Sequence, residues 1–434
     1  MTEATIGILG ILGMFVLLFL RTPVGIALMA SGFVGIWVLS GPRAATATLA
    51  SEAFGATSNY ALTVIPMFVL MGNAASAAGF SRRLYEAAFA WLGGLRGGLA
   101  SATILGCAAF AAVSGSSVAT AVTIGRVSLP EMRRAGYSDG LATGSIAAGG
   151  TLGILIPPSA GFVIYAILTE ESVGRLFMAG ILPGILLTVL FILTIWLISY
   201  FNPEASPQNN EVEAGDKLGS LLRAAPLLGV IVMSIGGIYG GIFTPVEAAG
   251  VGAGLVIAMG FFGGKFTASS FKTVLLDTVR TTAMLYLIVI GAHVFGPFLS
   301  LSHIPTLLGE GLAQLNMGVY GTLIVILLAY VVLGMFLDGL AMLVITLPIV
   351  YPVIVALGFD PIWFGVIAVI VIEMGMITPP VGINVFVVKG VAPDIPMATI
   401  FRGVFPFWVA MAVCLIILIL LPQIALFIPN SMFG

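Results

Sequence analysis

Charge is the scarcest property of this sequence. Acidic and basic side chains make up 8% of its 434 residues, against 60% hydrophobic ones. A soluble domain carries about 25% charged residues, so a soluble fold of this composition would have too little polar surface to face water. The net charge of −2 leaves no basic face for a nucleic acid. Only two cysteines occur, Cys107 and Cys414, each in an apolar stretch. They lack the spacing of a metal or redox motif and read as small buried hydrophobes. Gly263-Gly264-Lys265-Phe266-Thr267 lacks the spacing of a phosphate loop. Any energy must then come from an ion gradient or a partner, and no cofactor is expected. No nucleophile motif and no His/Cys/acid cluster points to an enzyme.

What is present in abundance is apolar sequence, with a mean hydropathy of +1.18. The 55 glycines and 23 prolines do not signal disorder, which needs low hydrophobicity. Both are frequent in membrane helices, where they permit close packing and local breaks. A span needs about 20 apolar residues, which gives about ten here: 4–20, 23–40, 59–79, 139–169, 175–200, 221–240, 244–263, 278–300, 361–391 and 397–428. The run Ile6 to Leu20 follows Thr2, Glu3, Ala4 and Thr5 rather than a positive region, so it reads as a span and not a secretory leader. Two further stretches, about 97–129 and 317–352, are each split by a polar, glycine-containing tip: Ser114-Gly115-Ser116-Ser117 and Leu337-Asp338-Gly339. Each reads as a hairpin that enters the bilayer and returns on the same side. The fold class predicted is an all-α integral membrane protein with about ten transmembrane helices and two re-entrant hairpins.

The main hydrophilic stretch, Asn202 to Lys217, lies mid-chain and reads as a linker between residues 1–216 and 217–434. The two parts share a repeat at an offset of 222 residues. Thr22-Pro23-Val24 recurs as Thr244-Pro245-Val246, Pro130 as Pro352, Gly153 as Gly375, and Pro157-Pro158 as Pro379-Pro380. Ser116 in one tip matches Asp338 in the other. An odd number of crossings per half makes the repeats inverted, the layout of many secondary transporters. With the N-terminus outside, every Lys and Arg except Arg43 and Arg175 falls on the cytoplasmic side, as the positive-inside rule requires. Both termini are then outside. The first hairpin enters from the cytoplasm and the second from outside.

Non-helical backbone is tolerated at membrane depth only where protein or a watery cavity satisfies it. The tips are two such places. The breaks at Gly149-Gly150-Thr151-Leu152-Gly153 before Pro157-Pro158, and at Glu373-Met374-Gly375-Met376-Ile377-Thr378 before Pro379-Pro380, are two more. Proline removes a donor and clashes with the preceding turn. The freed carbonyls and nearby hydroxyls are hard oxygen ligands for a small cation, and half-helix N-termini suit a carboxylate. An intramembrane acid is a functional candidate by default. Asp338 at a tip, against a helix cap, and Glu373 before a break, against a structural hydrogen bond, qualify. Glu247 follows Thr244-Pro245 in a first turn, where an acid suits the dipole. Ser114, Ser116 and Ser117 either bind or pack helices. Asn384 follows the second proline pair. His293, in an apolar helix, is a proton relay or a packing residue, with packing preferred, and Arg133-Arg134 reads as a topology signal.

These segments, from Ser114-Gly115-Ser116-Ser117 through Gly150–Ser159 to Glu373–Asn384, resemble the large membrane subunit of the TRAP (tripartite ATP-independent periplasmic) transporters over essentially the whole chain. The resemblance implies import of an organic acid, commonly a C4-dicarboxylate or a sugar acid such as sialic acid, driven by a sodium gradient across the bacterial inner membrane. It implies two partners, a separate small four-helix membrane subunit and a periplasmic substrate-binding protein. It also implies an elevator in which residues about 97–200 and 317–428 move. Sodium would then sit near Ser114, Ser116, Gly150 and Gly153 in one half, and near Asp338, Gly339, Gly375 and Thr378 in the other. Substrate would face Ser117, Thr151, Pro157, Pro158, Glu373, Pro379 and Asn384. A stand-alone divalent-anion/sodium symporter shares the hairpin and broken-helix logic and is the alternative.

Overall fold

The computed structural model describes residues 2–207, 217–314 and 317–432. Most of the predicted linker, and with it the boundary at 216/217, lies outside the described residues. Every regular element among those described is helical.

The first part of the chain runs through α1 (Glu3–Phe19), α2 (Val24–Ser40), α3 (Pro42–Ser58), a short turn at Tyr60–Thr63, α4 (Val64–Ala77) and α5 (Phe80–Leu92). It continues with α6 (Gly98–Ser114), α7 (Ser117–Arg134), α8 (Asp139–Leu155), α9 (Ala160–Thr169) and α10 (Val173–Phe201). After the linker come α11 (Lys217–Tyr239), α12 (Pro245–Phe262), α13 (Ala268–Leu301), α14 (Ile304–Gln314) and α15 (Gly318–Gly334). The last are α16 (Gly339–Ala356), α17 (Pro361–Met376), α18 (Ile383–Val391), α19 (Met397–Leu420) and α20 (Gln423–Ser431).

The breaks have local causes. Gly115 ends α6 in the left-handed conformation, which glycine adopts without a Cβ penalty. Ser116 then caps α7 by accepting from the Ala119 amide at 3.3 Å, and Asp338 caps α16 by accepting from the Leu340 amide at 3.2 Å. Ser138 caps α8 and Asp360 caps α17 in the same way. A side-chain oxygen at each site satisfies a donor that the helix leaves orphaned. Both proline pairs, Pro157-Pro158 and Pro379-Pro380, are cis.

By length and composition, eight helical stretches can cross a membrane, with α8–α9 counted as one. Helices α1, α2 and α17 are apolar but have 16 or 17 residues. α8 and α17 form the centre of the molecule: every residue from Leu141 to Leu155 and from Ile362 to Met376 is buried. A helix apolar on all sides needs protein or lipid around it, and here protein encloses both. The outer helices instead expose large apolar side chains, such as Ile8, Leu12 and Val16 on α1 and Ile416 and Leu420 on α19. Such a surface is solvated by lipid, not water. α9 packs on α16 and α18 packs on α7, so each second half-helix reaches across to the opposite hairpin.

Several boundaries differ from the sequence reading. The second hairpin arms run on past 129 and 352, to Arg134 and Ala356, carrying Pro130 and Pro352 inside them. α16 is itself among the eight stretches long and apolar enough to cross. The predicted span 278–300 begins ten residues earlier, because Thr267 and Ser270 form a capping box ahead of it. The predicted span 397–428 divides after Leu420 into α19 and α20. Helices α3 and α5 were not expected: α3 is too polar for a hydropathy criterion, and α5 is amphipathic, with Arg82 exposed beside buried Leu84 and Ala88.

Candidate functional site

Hairpin α6–α7 meets the break between α8 and α9. The Ala160 amide donates to the Gly115 carbonyl at 3.3 Å, tying tip to break through backbone alone. A Cβ on Gly153 would strike the Ser116 carbonyl, so only glycine lets α8 approach the tip this closely. A Cβ on Gly150 would lie 2.8 Å from that of Ala121. The Ser114 hydroxyl lies 2.7 Å from that of Thr120. Thr151 donates to the Ala148 carbonyl at 2.6 Å, keeping an oxygen lone pair free. Pro157 and Pro158 are buried, and Ser159 closes the turn by donating to the Ile154 carbonyl.

Hairpin α15–α16 meets the break between α17 and α18 in the same manner. Here the Gly382 amide donates to the Met335 carbonyl at 3.3 Å. A Cβ on Gly375 would lie 2.6 Å from the Cα of Gly334. Thr378 donates to the Met374 carbonyl at 2.6 Å and accepts from the Trp408 indole at 3.0 Å. Asp338 is exposed as well as capping, and Pro379 and Pro380 are exposed too. The second junction is thus open where the first is sealed.

One cluster joins the two halves. Ser117, on the first hairpin, donates to Oε1 of Glu373 at 2.7 Å. The Asn384 amide, at the start of α18, donates to Oε2 at 3.3 Å. Glu373 is 1% exposed and Asn384 is not exposed at all. Of the residues assigned to substrate, Ser117, Glu373 and Asn384 are therefore turned toward one another. Pro157, Pro158 and Thr151 are buried in the first junction, and Pro379 alone is exposed.

The remaining candidates fall elsewhere. Glu247 forms a capping box with Thr244, accepting from its amide at 2.8 Å. His293 lies on α13 with Nδ1 3.4 Å from Glu52 on α3, away from both junctions. Arg133 does more than mark topology. It bonds Asp139 at 3.2 Å and Asp394 at 2.5 Å, fastening the end of α7 to the start of α8 and to the loop after α18. The bond from Arg133 is the main cause that holds the Asp394 carboxyl below the usual carboxylate range. Trp408 and Ser159 were missed by sequence reasoning. Trp408 sits in an apolar run like any other tryptophan, whereas Ser159, directly after the proline pair, was a findable signal.

Among the described residues, two hairpin tips dock on two broken helices in an apolar, helical molecule, the architecture of a membrane transporter. A match over residues 11–424 to the family described as "Tripartite ATP-independent periplasmic transporter, DctM component" narrows the class. The chain is 37% identical over 384 residues to the C4-dicarboxylate TRAP transporter large permease protein DctM of Pseudomonas aeruginosa, covering 88% of this chain and 89% of that one. It is 34% identical over 429 residues to the sialic acid TRAP transporter large permease protein SiaM of Vibrio cholerae, covering 98% of both. In fold it is similar to the YdaH transporter of Alcanivorax borkumensis, with a TM-score of 0.61 at 18% identity over 90% of this chain and 89% of that one. The chain belongs to the DctM family: it is a TRAP transporter large permease, and not an enzyme.

Proposed function

We propose that this permease imports an organic acid, a C4-dicarboxylate or a sugar acid, delivered by a periplasmic binding protein and driven by a sodium gradient. A small four-helix membrane subunit completes the assembly in the bacterial inner membrane, with both termini of this chain periplasmic. The observation that carries the reading is the pair of backbone clamps, Ala160 to Gly115 and Gly382 to Met335. Each holds a tip against a break, where carbonyls leave the helical ladder and become hard oxygen ligands. Sodium takes the two junctions, at Ser114, Ser116, Gly150 and Gly153 and at Asp338, Gly339, Gly375 and Thr378. The substrate site lies between them, with Ser117, Thr151, Pro157, Pro158, Glu373, Pro379 and Asn384 as its candidate lining. Opening of the sealed first junction brings the buried members to the ligand.

An inverted repeat supports an elevator. At the offset of 222, α7 and α16 have matching bounds, and Ser138 and Asp360 cap corresponding helices. The two tip–break units move together, and α2, α4, α12 and α13, which pack on one another, stay fixed.

The test is uptake into proteoliposomes holding this chain, the small subunit and the binding protein, with radiolabelled C4-dicarboxylate and sialic acid as probes. Uptake of one of them collapses when choline replaces sodium. Uptake indifferent to that exchange would sink sodium coupling, and uptake by this chain alone would favour a stand-alone divalent-anion symporter.

A further inference from the structure

The buried cluster of Ser117, Glu373 and Asn384 is unlike either junction. Its carboxylate is 1% exposed and has no cationic partner among the described residues. Removing an unpaired charge from solvent is costly, and one nearby positive charge offsets most of that cost. The Asn384 side chain is wholly buried, and its Oδ1 has no hydrogen-bond partner among the described residues. A half-turn of that amide exchanges its oxygen and nitrogen, bringing Oδ1 to the place where Nδ2 now lies 3.3 Å from Oε2 of Glu373. Two oxygens so placed repel unless a cation, or the carboxyl's own proton, lies between them. The Ser117 hydroxyl, 2.7 Å from Oε1, supplies a third oxygen.

We propose that Ser117, Glu373 and Asn384, which belong to the candidate substrate lining above, act there not on the organic acid itself but through a sodium-sized alkali cation held beside it, at a site distinct from the two junctions and shared between the first hairpin and the second broken helix. One carboxylate with neutral hard oxygens matches a single positive charge, whereas divalent ions gather more carboxylates. The repeat shows that the site is single. At the offset of 222 the counterparts of Ser117, Glu373 and Asn384 are Gly339, Thr151 and Phe162, which offer neither a carboxylate nor an amide. The tip–break junctions come in two copies and this site in one. It lies where a bound cation joins the halves of the moving unit.

Equilibrium binding of radioactive sodium to the full chain in lipid nanodiscs tests the assignment. E373Q binds one sodium fewer than the wild type. N384A and S117A keep the number bound but weaken one class of site by about tenfold or more, a readout that does not depend on the folding of E373Q. Equal stoichiometry and affinity in E373Q and wild type, the result given by a carboxyl that keeps its own proton, overturns the site, as do unchanged affinities in N384A and S117A. T378V and D338N separate this proposal from sodium at the junctions. A loss confined to E373Q sustains the site and sinks the junction reading. Losses confined to T378V and D338N do the reverse.

Discussion

Asp394 is exposed, yet its carboxyl is held below the usual range, because Arg133 donates to it while also reaching Asp139. A depressed carboxylate stabilises the fold above its unfolded pKa, about 3.9, and loses that contribution as pH falls through its folded value. D394N should therefore melt below the wild type at neutral pH, with the gap closing as the medium is acidified into the range where Asp394 itself protonates. Thermal denaturation in nanodiscs across pH measures this. A gap that persists in acid would mean that the clasp contributes nothing through charge. The effect is small, since exposed ion pairs are screened by water and salt. It is informative because the pair bridges segments more than 250 positions apart in sequence, 133 and 394.

At the scale of the element, the tip–break junctions depend on missing side chains. Gly153 faces the Ser116 carbonyl with no room for a methyl group. Overpacking of this kind costs about 1–3 kcal/mol. In G153A the tip must retreat from the break. We expect a protein that still inserts and still binds detergent micelles as a monodisperse particle, but whose sodium-dependent uptake falls at least about tenfold, the loss that a slightly misplaced site produces. Wild-type uptake in G153A would show that the close approach has no part in transport. These junctions were legible beforehand because glycine, proline and a polar tip announce themselves against an apolar background. The Ser117–Glu373–Asn384 contact was not, because no periodicity reports which residues meet across 256 positions of sequence. Helices α3 and α5 escaped for another reason: a search for apolar runs does not register helices that lie with one face in a polar environment.

For the whole molecule, orientation is the property most open to direct test. With Cys107 and Cys414, both buried, replaced by alanine, single cysteines at Thr2 and Ser431 should both react in intact cells with a maleimide that cannot cross the inner membrane. One at Arg223 should react only after lysis. Opposite labelling of the two ends would break the inverted arrangement of the halves. The distribution of Lys and Arg was enough to set this expectation, since topology follows cytoplasmic cationic residues more closely than any feature of the packed core. The asymmetry between the halves could not be foreseen from a constant offset. Pro157-Pro158 is buried and Pro379-Pro380 is exposed, which follows from what surrounds each copy.

Helices outside the two tip–break units differ in build as well. α13 runs unbroken for 34 residues, about 51 Å at 1.5 Å per residue, against a hydrocarbon thickness of about 30 Å. The corresponding stretch of the first half is jointed at Asn59, between α3 and the turn that leads into α4. One is a beam that must lean within the bilayer or project beyond it, and the other has a knee. When the bilayer thickens or thins, the knee can flex where the beam can only tilt, so the two flanks of the transporter will answer the same lipid with different motions.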